Sequence, residues 1–61
     1  MGEIKKMEMV FVELLLTRQL QKKAFLLDLA GEEDEAGAAL REAEEHRQRA
    51  LEIQAELKGE D

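Results

Sequence analysis

Leu29-Ala30-Gly31-Glu32-Glu33-Asp34-Glu35 (LAGEEDE) is the stretch on which the fold turns. A glycine just past the last apolar residue is a helix C-terminal signal, because glycine enters the left-handed region without a Cβ penalty. The four carboxylates after it, Glu32 to Glu35, suit the positive end of a second helix's dipole. Asp34 is the expected N-cap, its short side chain accepting from the free N–H groups of the first turn. The stretch thus ends one helix and begins another, and so short a connection leaves the two antiparallel. Working outward, helix 1 is expected over about 3–30, the turn over about 31–34 and helix 2 over about 35–58, in a single domain spanning 1–61.

Composition agrees with long uninterrupted helices. The chain has no Pro, Ser or Asn, so breaker and turn residues are scarce, and Ala, Leu, Glu, Lys, Arg and Gln dominate. This is the long-helix or coiled-coil class. Met7, Met9 and Phe11 alternate with Glu8, Val10 and Val12, as a strand would, but no second such run exists to pair with them, so the segment reads as helix.

Helix 2 carries the cleanest pattern. Ala36, Ala39, Ala43, His46, Ala50, Ile53 and Leu57 recur at alternating spacings of three and four, a heptad row that forms the hairpin seam. Its alanines invite a close approach, near ~8 Å between axes. On the outer face, Glu44 with Arg47 and Glu45 with Arg49 are spaced for ion pairs along the helix.

Helix 1 is apolar on more than one side. One stripe gathers Met9, Val12, Leu16, Leu20, Leu27 and Ala30 and is expected to meet helix 2, with Leu16 near Ala50 and Leu20 near His46. A second stripe, Ile4, Met7, Phe11, Leu14, Leu15, Phe25 and Leu29, lies nearly opposite. One hairpin cannot cover both. A chain of 61 residues with no cysteine lacks disulfide staples, and small domains without staples lean on oligomerisation. The expectation is an all-α antiparallel hairpin that dimerises through the second stripe into a four-helix bundle. Higher oligomers, or docking of helix 1 on a different, larger protein, satisfy the same need.

Arg18, Gln19, Lys22 and Lys23 interrupt the apolar faces of helix 1 and are expected opposite Glu42, Glu45, His46 and Arg49, as a polar waist that sets register. His46 is the only histidine. No Glu stands three residues before it, so the Glu-x-x-His motif of di-iron bundles is missing, and a structural hydrogen bond is the expected role. Through Gly31 there are five basic and four acidic residues, a net of +1. From Glu32 onward eleven acidic residues face four basic, a net of −7. The second half repels nucleic acid and anionic lipid, so RNA contact, if any, belongs to Arg18, Gln19, Lys22 and Lys23, with Phe25 nearby to stack.

Two helices of this length, a short acidic turn near the midpoint and an alanine-containing seam resemble the repressor-of-primer RNA-binding proteins of plasmids. The resemblance covers the whole chain and is architectural. It implies a dimeric antiparallel four-helix bundle that binds paired RNA loops on the helix 1/helix 1′ face. No run of residues here matches that family's RNA-contacting pattern, so no site residue is carried over.

There is no Ser, Cys or Tyr nucleophile and no glycine-rich phosphate loop, and the acidic cluster lacks calcium-loop spacing. No catalytic, metal or cofactor residue is assigned. Met7 to Leu16 is about half the ~20 apolar residues a membrane span requires, and no leader is evident, so a cytoplasmic location is expected. The functional expectation is a non-enzymatic, homodimeric protein-interaction, assembly or regulatory module, with the RNA-binding regulator as the alternative.

Overall fold

The computed structural model describes residues 2–59. Two α-helices, α1 (Gly2–Leu29) and α2 (Glu33–Gly59), fold back on each other as an antiparallel hairpin. The molecule is a rod measuring 47 × 14 × 10 Å. Twenty-eight residues at ~1.5 Å each make α1 about 42 Å long, so each helix runs nearly the length of the rod. The Met7–Val12 segment is helical throughout.

The turn is tighter than its sequence suggested. Gly31 adopts φ 83°. The Glu32 N–H donates to the Leu27 carbonyl (2.8 Å) and the Gly31 N–H to the Asp28 carbonyl (3.0 Å). These two bonds form a Schellman cap around a left-handed glycine. The Glu32 carbonyl then accepts from the Ala36 N–H (2.9 Å), so Glu32 already occupies the N-cap position. Asp34, expected as the cap, instead lies inside the first turn beside Glu33 and Glu35, where its charge favours the helix start. The connection shrinks to Ala30–Glu32, and α2 begins two residues earlier than expected.

The register differs from expectation as well. Glu13 meets His46 and Thr17 reaches Ala43, so paired residue numbers sum to about 60. The expected pairings of Leu16 with Ala50 and Leu20 with His46 sum to 66 and do not form. Opposite α2, the face of α1 is Lys6, Val10, Glu13, Thr17, Leu20, Ala24 and Leu27, another three-four row. Met9, Val12 and Leu16, expected in this contact, are exposed. The reason is size. A row of alanines on α2 draws the helices together, and the α1 residues buried against it are the small ones, Val10, Thr17 and Ala24, with Leu20 and Leu27 of the same row half-buried. Of the buried residues, Ala24, Ala36, Ala39, Ala43 and Ala50 are alanine, joined by Val10 and Thr17. Ala50 and Ala43 are only 1% and 2% exposed.

Two glycines test the backbone argument in opposite directions. A Cβ on Gly31 meets nothing within 4 Å, so Gly31→Ala carries only the conformational cost of positive φ. It should lower stability by about 1 kcal/mol in urea denaturation. Gly37 is helical with equally open surroundings, and Gly37→Ala should raise stability by about 0.5–1 kcal/mol.

Candidate functional site

A polar layer crosses the otherwise small-residue seam at mid-hairpin. His46 and Glu13 are both half-buried, and the ring Nδ1 makes a short hydrogen bond to Glu13 Oε1. With the proton on Nδ1, the imidazole donates and the carboxylate accepts. The Thr17 hydroxyl is buried. It donates to the Glu13 carbonyl at 2.8 Å, one turn back on its own helix, and lies 3.4 Å from the Ala43 carbonyl across the seam. Arg49 Nη1 stands 3.4 Å from the same imidazole nitrogen. Two donors facing each other do not bond, so Arg49 packs at the edge of the layer. Among the described residues no buried side-chain nitrogen or oxygen lacks a partner.

This layer is not the waist expected from sequence. Arg18, Gln19, Lys22 and Lys23 are all exposed: Arg18, Gln19 and Lys23 flank the seam row and Lys22 points further out. Lys23 lines a groove of about 170 Å³ with Leu20, Leu27, Glu35 and one of the expected counterparts, Glu42. Inside the seam the polar groups are Glu13 and Thr17, which a hydrophobicity-led reading passes over. Their signal was their place in the Lys6–Leu27 three-four row, opposite the row that contains His46.

The hairpin has two sides. Residues one position after the seam rows share one side, shown by the groove of about 440 Å³ that Gln21, Phe25 and Asp28 line with Gly37 and Leu40. Residues one position before the rows share the other, shown by Lys23 with Glu35, Ala38 and Glu42. On the Phe25 side, α1 presents Met7, Phe11, Leu14 and Phe25, and α2 presents Leu40 and Leu51, all exposed. Ile4, Leu15 and Leu29, pointing further outward, are exposed as well. On the opposite side, α1 presents Met9, Val12 and Leu16, while α2 presents Glu35, Glu42, Glu45, Glu52 and Glu56. So α1 is apolar around most of its circumference, and α2 covers one narrow strip of it.

One ion pair stands on the exposed surface of α2, between Glu44 and Arg47. Arg47 forks onto Glu44 (2.7 and 3.0 Å) and Gln48 adds a third bond at 3.2 Å. The Arg47 hydrogen bonds, then that of Gln48, hold the Glu44 carboxyl down from 4.5 to about 2. The site is fully exposed, so the pair orders side chains more than it stabilises the fold. Near the open end, Lys6 lies 3.5 Å from Glu56 across the hairpin. No group of three or more His, Cys, Asp or Glu among the described residues is placed to hold a metal, and no described helix is long and apolar enough to cross a membrane.

Comparison with family models, curated proteins and solved structures gives no match to this chain. The likeness to repressor-of-primer proteins therefore rests on helix length, turn position and the alanine seam alone. The chain is a small all-helical domain, and its surfaces carry what can be inferred about its role.

The Glu13–His46 bond makes the polar layer a coupled unit. Glu13→Leu and His46→Leu should each cost about 1–3 kcal/mol by stranding the other partner, while the double variant should recover most of that loss. A double-mutant cycle in urea measures the coupling; simple additivity would show there is none. On the outer face, the Glu44 carboxyl should titrate near pH 2 by carbon NMR, and Arg47→Gln should return it toward 4.5. Because the folded value is depressed, whatever stability this group adds is present above about pH 4.5 and fades as pH falls through 2.

Proposed function

We propose that this chain is a non-enzymatic assembly or regulatory module that works as a homodimeric four-helix bundle, built by packing α1 and its outward apolar stripe against a second copy. The observation that carries the reading is where the large side chains point. Ile4, Met7, Phe11, Phe25 and Leu29 are each more than half exposed, with Phe11 at 64% and Leu29 at 69%. Contiguous exposed apolar surface of this kind marks an interaction site.

Area supports the same reading. The chain exposes 4961 Å². A compact monomer of 7.0 kDa is expected to expose about 4,000 Å². The excess, roughly 900 Å², is close to the ~800 Å² that each partner contributes to a standard interface. A second copy suits the stripe because the stripe is almost free of charge: Arg18 and Lys22 are its main interruptions, and apolar ends lie on both sides of them. A twofold axis across such a stripe sets apolar end against apolar end. RNA binding at Arg18 and Lys22 stands second. Their exposure beside Phe25 favours it, but so few phosphate contacts on a chain of net charge −6 supply little affinity.

Sedimentation equilibrium of the purified chain should give twice the monomer mass. Phe11→Glu or Phe25→Glu should shift it to monomer, with helix content by circular dichroism falling if dimerisation and folding are coupled. A wild-type chain that stays monomeric at high micromolar concentration would remove this reading.

A further inference from the structure

The proposed dimer leaves the opposite side of α1 uncovered. There Met9, Val12 and Leu16 form an exposed apolar row at spacings of three and four, and α2 lines its edge with Glu45, Arg49 and Glu52, with Glu42 one turn further along. We propose that this side is a docking groove for a basic amphipathic helix of another protein. The reading does not depend on self-association, because it shares no residue with the stripe proposed for the dimer.

Shape and charge argue together. The groove is straight, since both helices run the length of the rod, and its apolar positions repeat as helix-in-groove recognition requires: anchors at i, i+3 and i+7. The acidic rim is regular. In the α2 row that begins at Glu35 and ends at Glu56, five of seven positions are glutamate. Arg49 is that row's only cation, and its guanidinium leans on the His46 ring, 3.4 Å away. An apolar floor along one helix and a carboxylate rail along the other call for a partner with leucine-like anchors on one face and lysine or arginine beside them.

A second copy fits this side poorly. It brings a net charge of −6, and on the corresponding α1 row it offers only Lys5 and Lys23 against five glutamates. An RNA or anionic lipid surface would meet the rail with like charge. The occupant that relieves both the bare apolar row and the crowded carboxylates is a positively charged helix.

The test uses the full chain, labelled with ¹⁵N, and a synthetic amphipathic peptide of repeating Leu/Lys heptads, about eighteen residues long. Controls are the same peptide with Glu for Lys, and one of the same composition with its periodicity scrambled. The expected result is saturable binding with the largest amide shifts at Met9, Val12, Leu16, Glu42, Glu45 and Glu52, weakening as salt rises. The paired reversal Glu42→Lys/Glu45→Lys should weaken binding about tenfold or more while leaving the sedimentation mass unchanged. The same shifts should appear in the Phe11→Glu variant, which separates this groove from the dimer stripe. Equal binding of either control peptide, shifts centred on Phe11, Phe25 and Leu40, or no binding at low salt would each overturn the proposal.

Discussion

Close approach of the two helices, made possible by alanine, is the constraint on which the rest of the structure depends. Ala36, Ala39, Ala43 and Ala50 on α2 face Ala24, Thr17 and Val10 on α1, and no large side chain is fully buried among the described residues. Such a seam gives good van der Waals contact but little area, since burying an alanine removes roughly one methyl group, ~0.8 kcal/mol, from water. The intramolecular interface therefore consumes the small side chains and leaves the large ones outside. That is the reverse of an ordinary domain, in which Leu, Phe and Met fill the centre.

A row of alanines is also nearly degenerate. Sliding α1 by one heptad would again set Ala24 and Thr17 against alanines, Ala43 and Ala50 in place of Ala36 and Ala43. Two features break the degeneracy. The Gly31 cap fixes how many residues the reversal takes, and the Glu13–His46 pair with the Thr17 hydroxyl would be split by any slip. A half-buried carboxylate and imidazole left apart would each lose a hydrogen bond while staying partly dehydrated, which costs more than the alanine contacts regain. Polar groups in this seam thus specify register where apolar groups cannot, the best attested use of buried polarity in helical packing.

The same physics decides what was readable in the sequence. The hairpin was readable, because Gly31 and the carboxylates after it signal a stop and a start without reference to tertiary contacts. The α2 row was visible because the rest of that helix is charged, so its apolar residues stand out. For α1 the equivalent row was hidden. Lys6, Glu13, Thr17 and Ala24 do not look like a buried face, and richer stripes lay on either side of them. Hydrophobicity pointed to Met9, Val12 and Leu16, but the alanines opposite select for size. The N-cap at Glu32 rather than Asp34 shifts the turn by two residues and so accounts for part of the difference in register; the rest reflects which α1 row faces the alanines.

Function is bound up with α1 more than with the hairpin as a whole. A helix with apolar residues around most of its circumference exposes more apolar surface than one neighbour can cover. Here α2 takes one narrow strip, through small residues that cost little circumference. The stripe from Ile4 to Leu29 and the Met9–Leu16 row remain, separated by different charge surroundings: sparse cations in the first, a glutamate rail in the second. Two apolar surfaces with unlike rims are poorly suited to the same occupant, because a partner whose charges match one rim is mismatched at the other. The charge asymmetry between the helices then has a physical role. With eight acidic residues against four basic between Glu33 and Gly59, α2 is net negative where α1 is net positive, and it supplies the rim that distinguishes one flank of α1 from the other.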